Sequence, residues 1–520
     1  MILIGELALW VALLMATWAT AVSFAGGAQR RNDLVASGER AVNATLGMVL
    51  LASIGLWTAL IAHDFSLAHV ASFTSANLPL LYTLAAFWGG PAGALLLWTS
   101  LFAACSAAVV YRNRNRLREL MPHVTGTLAA VLAFSLALLC LGANPFDRLD
   151  WLPLDGRGMN PRLQSPAMAL HPPVLYLGFA STAVPFALTV AALFTRRLDG
   201  GWLAAARRWV IVSWLCLTIG IVLGMWWAYV EPGPAGHWTR DGVENGSVFS
   251  WLIVSVLLLA IAARGRGGAA RTWVVVLALA AFPLSLFAAF LMDGGVVSLA
   301  HSFGQSPTGK WFRGFLIVVV SVAGYLAVTR LRDLRGTATA GAGTRMRWWR
   351  ASIASVRRSW SARIALAGIV IVLVALTGPA FANGHVVLLG PGESRELGDP
   401  FGRRWTFTSQ GVSQYNELNR RVNAAAVEVL RDGRSRGIIT SERRQYVNSR
   451  GNGIFRPATA AGIMGSGMQD IRVVLVSVDD DERALLRIGF HPLVAWVWIG
   501  GVIMAIGGAV ALAETARREG

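Results

Sequence analysis

The side chains best suited to chemistry in this sequence are few and concentrated. Of eight histidines, His63, His69, His171, His237, His301, His385 and His491 fall at or beyond the ends of apolar runs on what the charge pattern makes one side, and His123 falls on the other. Neutral imidazole is a common metal ligand, although a single histidine at a membrane edge is more often an interfacial residue. From Trp226 to Trp251 the chain reads WWAYVEPGPAGHWTRDGVENGSVFSW. This stretch holds Trp226, Trp227, Trp238 and Trp251, the carboxylates Glu231, Asp241 and Glu244, and the amide of Asn245. An aromatic belt at a membrane surface would account for the tryptophans, but not for the Gly/Pro turns or three acids. Flat rings on a turn-rich backbone with a few polar groups suit a large planar ligand such as a porphyrin. The cysteines, Cys105, Cys140 and Cys216, all lie in apolar runs with no CxxC spacing. A disulfide framework or zinc site is therefore not expected.

The elements that must hold these residues are membrane spans. The chain has 520 residues, 55% hydrophobic and 14% charged, and a mean hydropathy of +0.54. Soluble domains carry roughly 25% charged residues, so an ordinary cytosolic enzyme, a disordered chain and a secreted disulfide scaffold are excluded. A spanning helix needs about 20 apolar residues. Eleven stretches qualify, at roughly 5–27, 42–62, 88–111, 122–142, 171–194, 208–228, 249–263, 272–292, 312–329, 364–382 and 492–513, the seventh being short. The net charge of +18 would point to nucleic acid in a soluble protein. In a membrane protein it reflects basic loops facing the cytoplasm, and no nucleic-acid partner is expected. One set of loops holds Arg30, Arg31, Arg40, Arg112 to Arg118, Arg196, Arg197, Arg207, Arg208, Arg264, Arg266, Arg271, the stretch from Arg330 to Arg363, and Arg517 and Arg518. That set marks the cytoplasmic side. The N-terminus and loops 63–87, 143–170, 229–248 and 293–311 then face outward, and the C-terminus inward.

Residues 383–488 differ in kind. They are polar, with short β-branched and alternating runs at Trp405–Phe407, Ala425–Leu430 and Ile471–Val478 and a turn signal at Asp432-Gly433. This predicts a small β-rich extracytoplasmic domain. The expected fold is thus an all-α polytopic membrane protein of about eleven helices carrying that domain. Residues 1–330 form a membrane core, 331–363 a basic cytoplasmic linker, 364–382 a span, 383–488 the β-rich domain, and 489–520 the last span and tail.

The loop motif WWAYVE followed by HWxxDGVENxSxxSWL resembles the tryptophan-rich WWD motif of the cytochrome c maturation heme lyases, the CcmF/CcsA heme-handling family. The resemblance extends through DFSLAHVASFTSANLPLLYTLAAFWGGPAGALLLW, Asn144-Pro145-Phe146, DGRGMNPRLQSPAMALHPPVLYLGF, GGVVSLAHSF at 294–303 and FHPLVAWVWIGGVIMAIGG, nearly the whole chain. It implies that His171 and His301 are axial ligands to the iron of a heme being transferred on the outer face. The WWD loop, with Trp226, Trp227, Glu231, Trp238, Asp241, Glu244, Asn245 and Trp251, would hold the porphyrin. It further implies that the heme's vinyl groups are joined to the two thiols of a CxxCH segment of apocytochrome c. Heme would arrive from a heme chaperone, and thiol-reducing or apocytochrome-presenting maturation subunits would act beside it, all in the lipid of a bacterial cytoplasmic membrane. The alternative is a heme-binding or heme-exporting membrane protein without ligation activity.

The chain departs from the family pattern in places. Where members carry a WGGWWFWDP-like run, this sequence reads Pro234 to Gly242 with three fewer aromatics, and His237 replaces one of them. Larger members hold a permanent intramembrane heme b between two histidines. The matching positions here are Leu259 and Ile369, and about four spans are lacking after the ninth. A shortened member without heme b is therefore expected.

Overall fold

The computed structural model describes residues 1–197, 201–231, 242–263, 268–293, 309–335, 359–447 and 455–519. Ten of its helices are long and apolar enough to cross a membrane. The first four spans are α1 (Ile2–Gln29), α2 (Asn32–Ile61), α5 (Pro91–Asn113) and α6 (Met121–Leu141), with short helices α3 (Ala68–Phe73) and α4 (Leu80–Ala85) between α2 and α5. Then come α7 (Pro166–Ser181) with α8 (Ala183–Phe194), α9 (Gly201–Val230), α10 (Gly242–Ala263), α11 (Gly268–Asp293), α12 (Gly309–Arg335), α13 (Trp360–Ala375) and α14 (Val494–Glu519). Each of the eleven predicted stretches falls on one of these helices. Ten meet the length a bilayer demands, while α10 offers only the shorter apolar segment Gly246–Ala262.

The fifth span is one rod in two pieces. Pro185 lacks the N–H that would bond the Ser181 carbonyl, and the helix breaks at Thr182. The hydroxyls at the break are used across the bundle. Ser181 Oγ meets Ser213 Oγ of α9 at 2.8 Å, and the Thr182 hydroxyl donates to Ser285 Oγ of α11 at 3.2 Å. Helix contact elsewhere rests on small residues, as expected where lipid supplies no hydrophobic drive between helices. A Cβ on Gly178 of α7 would lie 2.9 Å from Leu217 of α9, and one on Gly368 of α13 would lie 2.6 Å from the Gly500 carbonyl of α14.

The β-rich domain is a half-barrel of two antiparallel sheets. One has the order β1 (Asn383–Leu389), β9 (Ala484–Pro492), β8 (Gln469–Val478), β7 (Gly462–Gly465). The other runs β2 (Ser394–Gly398), β3 (Arg404–Glu417), β4 (Arg420–Arg431), β5 (Arg434–Tyr446), β6 (Ala458–Ala460). Asp432 and Gly433 take φ of 53° and 72°, the two successive left-handed residues that a tight hairpin between β4 and β5 requires. Alternation sends Phe407, Val427 and Val429 from one sheet and Val473, Leu475, Leu486, Ile488 and Phe490 from the other into a shared core. β9 continues to Pro492, so Gly489 to Pro492, predicted to begin the last membrane segment, belong to the sheet. The buried Phe490 ties this stretch into the core, and the helix starts only at Val494.

The half-barrel rests on loops from one end of the helix bundle. Asn77 donates to the Leu418 and Val447 carbonyls, and Asn419 donates to Gln164 Oε1 at 2.7 Å. Loops 63–76 and 143–158 lace together beneath it through Ala68 N–H to Asp147, Leu149 N–H to Ser66 and Gly158 N–H to Thr74. Within this lacing His69 is buried, with Nε2 bonded to the Ala86 carbonyl at 3.0 Å. Its imidazole fills the space that a Cβ on Gly93 would need. Burial pushes the ring down to about 4, with the Ala86 and Phe87 backbone pulling the other way, so His69 is a neutral core residue.

An opened His69 takes up a proton near its ordinary value of 6.5, and the buried ring does so only near 4. The open state therefore binds more protons between those limits, and the contribution to stability, complete above 6.5, is lost as pH falls. At pH 5 the loss is about 2 kcal/mol. Hydrogen exchange of the segment 68–93 should accelerate roughly thirtyfold from pH 7.5 to 5 after correction for the intrinsic rate. Unchanged corrected protection would contradict a neutral, buried His69.

Candidate functional site

His171 sits in the second turn of α7, just before Pro172 and Pro173, against α9. Its Nδ1 lies 2.7 Å from the Gly220 carbonyl. A carbonyl can only accept, so Nδ1 carries the hydrogen, and in the neutral ring Nε2 keeps the lone pair. Metal-binding imidazoles are typically oriented in this way, with one nitrogen held by a backbone acceptor. The ring lies flat enough on α9 that a Cβ on Gly224 would come within 2.7 Å of Cε1. The missing side chain of Gly224 makes the seat, while one helical turn earlier Gly220 supplies the carbonyl and its own gap is filled by Leu175.

The next turns of α9 lead to the tryptophan-rich segment. Trp227 is buried and its Nε1 donates to the Arg162 carbonyl at 2.7 Å, while the neighbouring Trp226 points outward and is 43% exposed. Tyr229 donates to Asp470 of β8 at 3.2 Å, and the Arg472 guanidinium lies 5.3 Å from the centre of its ring. The Val230 carbonyl accepts from Ala461 N–H. Glu231 meets Arg444 of β5 at 3.2 Å, the two side chains being 6% and 16% exposed. Burial lifts the Glu231 carboxyl above its ordinary range, with Arg444 and Arg420 opposing the rise. Desolvation acts against the Arg444 charge, but Glu231 and Glu442 together outweigh it and the guanidinium is held more firmly protonated. Removing one member of such a buried pair costs about 3–5 kcal/mol. The root of the tryptophan-rich loop is thus fastened to the half-barrel at three successive residues.

The structure therefore brings His171, Trp227 and Glu231 together along one helix. Trp251 is placed apart. Its Nε1 donates to Thr218 Oγ1 at 2.8 Å, stitching α10 to α9, and Thr218 lies six residues before Gly224, about 9 Å along the helix. Glu244 and Asn245 fall in the first turn of α10, where the backbone alone is described. His237, Trp238, Asp241 and His301 lie outside the described residues. Leu259 and Ile369 lie in α10 and α13, and neither side chain can bind iron. His63 and His385 lie apart from α9, and His491 stands edge-on to Tyr229 at 5.9 Å. Gly220 and Gly224 were missed from sequence, though their spacing of four, on one helix face, was readable there. Arg444, Asp470 and Arg472 had no sequence signal, since only tertiary contact brings them to the loop.

A family model described as "Cytochrome C assembly protein" matches residues 88–296, which include α7, α9 and the tryptophan-rich loop. The cytochrome c-type biogenesis protein CcmF of Pseudomonas aeruginosa is 27% identical over 98% of this chain and 96% of its own length, and that of Haemophilus influenzae 26% identical over 94% of each. The cytochrome c-type biogenesis protein ccl1 of Rhodobacter capsulatus is 37% identical over 60% of this chain and 48% of its own. A solved cytochrome c heme lyase CcmF superposes with a TM-score of 0.76 at 23% identity, covering 98% of this chain and 97% of the other. Over nearly its whole length the chain is similar to the CcmF-type cytochrome c maturation proteins. It is a multi-pass protein of the bacterial inner membrane. The alignment with the Haemophilus CcmF runs over 619 positions against 520 residues here, so this CcmF-type chain lacks stretches that the relative carries.

The glycine seat of this CcmF-type protein can be tested directly. Gly224→Ala raises helix propensity, so any loss must come from displacing the imidazole. Heme capture, read as a Soret titration of the purified protein, should weaken at least about tenfold, as for other disrupted supports of a ligating histidine. Gly47→Ala, where a Cβ meets open space, should leave it unchanged. Full capture by the Gly224 variant would mean that His171 does not act from its observed position.

Proposed function

We propose that this protein is a heme lyase of cytochrome c biogenesis, receiving heme as its substrate and promoting covalent attachment to the CxxCH segment of an apocytochrome c. The observation that carries the reading is His171, tautomer-fixed by the Gly220 carbonyl and seated on α9 one turn before the tryptophan-rich segment. His301 is proposed as the second axial ligand from its place in GGVVSLAHSF. Trp226, Trp227, Trp238 and the polar residues of the loop would flank the ring.

The reaction asks little covalent chemistry of the lyase. Each thiol adds across a vinyl double bond: sulfur bonds to the carbon next to the ring and the thiol hydrogen ends on the terminal carbon. No external nucleophile is consumed. Holding vinyl and thiol in one orientation can supply about 7–11 kcal/mol in favourable cases. The chain's own cysteines sit within helices α5, α6 and α9, away from any role as thiol partner. The heme-bearing end is proposed to face outward, with the half-barrel on that side and the C-terminus inward, because the arginine-rich loops mark the opposite face. A heme chaperone delivering heme and subunits presenting reduced apocytochrome are the partners this requires.

Two experiments test this reading. Co-expression with a CxxCH apocytochrome should yield covalent heme, detected by peroxidase staining after denaturing electrophoresis. His171→Ala or His301→Ala should reduce the stain at least about tenfold, as expected on losing a metal ligand, and His385→Ala should not. Heme bound to the protein with no covalent product would leave a carrier rather than a lyase. Sidedness is tested with reporter fusions at Gly433 and Arg345, which should report opposite faces. The same face for both would reverse the outward assignment.

A further inference from the structure

Where the half-barrel meets the helix bundle a polar cavity of about 340 Å³ opens beside Glu231. Its walls come from two distant parts of the chain. Asn160 to Arg162 approach from the turn before α7, and Phe455 to Thr459 from the irregular segment before β6 and its first residues. Two arginines, Arg162 and Arg456, line it. Glu231, the acid in its wall, is already paired with Arg444, and neither lining arginine has an acidic partner among the described residues. The cavity therefore presents two guanidinium groups and no available carboxylate. Guanidinium recognises carboxylates in paired, planar geometry, so the complementary ligand is a pair of carboxylates.

Position selects among dicarboxylate ligands. Trp227, which donates to the Arg162 carbonyl, fixes the turn that carries Arg162 to α9, the helix against which His171 of α7 packs. Gly224, beneath the His171 ring, and Glu231, in the cavity wall, are seven residues apart on that helix, about 10 Å along its axis. A porphyrin carries its iron and its two propionates at about that separation of scale. The cavity is at the low end of the about 300–1,000 Å³ that whole drug-sized ligands occupy, and the proposal places the propionate arms in it with the ring outside it toward His171.

We propose that Arg162 and Arg456 form a propionate-binding site, so that heme bridges the membrane bundle and the half-barrel. This rests on the heme-handling reading above and assigns the end of the ligand opposite to the vinyl groups that must remain open to thiols. Heme capture then draws together a residue before α7 and one before β6, which no covalent neighbour connects.

The test uses the full-length protein in nanodiscs, titrated with ferric heme and with heme dimethyl ester, whose propionates are blocked. The wild type should bind the free acid at least about tenfold more tightly, the scale of one or two charge-assisted hydrogen bonds. Arg162→Ala with Arg456→Ala should erase that preference while retaining the Soret band of a histidine-ligated heme, and the double Lys variant should restore part of it. Both side chains are exposed, so folding is not at stake. Equal binding of acid and ester by the wild type, or a preference that survives the double Ala change, overturns the propionate assignment. A parallel titration with a CxxCH apocytochrome peptide, with and without its acidic residues, separates the other source of carboxylates. If the double Ala variant lost only the acid-dependent peptide affinity, the cavity would read polypeptide instead and the proposal would fall. Absence of any heme binding by the wild type would overturn the heme-handling reading itself.

Discussion

The close crossing of α7 and α9 is the constraint on which the site depends. An imidazole can lie against a helix and reach its backbone carbonyl only where side chains are missing; Gly224 leaves room for the ring, and Gly220 lets Leu175 of the same α7 turn approach as closely. The bond costs α9 little, because the Gly220 carbonyl has a second lone pair beyond the one used within the helix. In return it fixes the ring's tautomer and direction. A glycine at each of these positions weakens helix propensity by about 1 kcal/mol relative to alanine, a penalty that packing within the bundle can absorb. The same helix also meets α14, where Gly501 faces Val222 and Gly508 faces Trp214 and Leu215. α9 is thus clamped on two sides before it reaches the tryptophan-rich segment.

Beyond that segment the polar contacts take over. Tyr229, Val230 and Glu231 engage β8, the start of β7 and β5 by a hydroxyl, a carbonyl and a carboxylate in turn. Three consecutive residues on a helix end point in different directions, so together they restrain rotation as well as position. The half-barrel is a rigid body with its own core, and its placement determines where the root of the loop lies. That gives the half-barrel a physical role in positioning the root of the tryptophan-rich loop.

The helices were legible in the sequence because a bilayer imposes length and apolarity on each span separately. The half-barrel was legible as a β-rich unit, and its β4–β5 hairpin was announced by Asp432-Gly433. Its junction with the last span was not, since Gly489 to Pro492 are as apolar as a span start and only their pairing with β8 assigns them to the sheet. His171 was proposed from a motif that carries no trace of Gly224, against which its ring packs. The clustering of histidines at one face also carried less than it promised. His69, among them, is neutral and buried by the Ala86 carbonyl and Gly93, a packing role that composition cannot distinguish from ligation.

Arginine usage follows from the same geometry. Lys310 is the chain's one lysine, and the charged contacts at the junction are made by Arg444, Arg472 and Arg420. A guanidinium is less strongly hydrated than an ammonium and can stack on a ring while bonding a carboxylate edge-on. Arg444 does the second, shared between Glu231 and Glu442, and Arg472 does the first over Tyr229. Lysine could satisfy neither geometry at that depth without a greater desolvation penalty. A junction built in this way stays charged and specific while nearly dry, which holds the helix end in register without a large apolar interface. Such an interface would face the membrane surface and bind lipid.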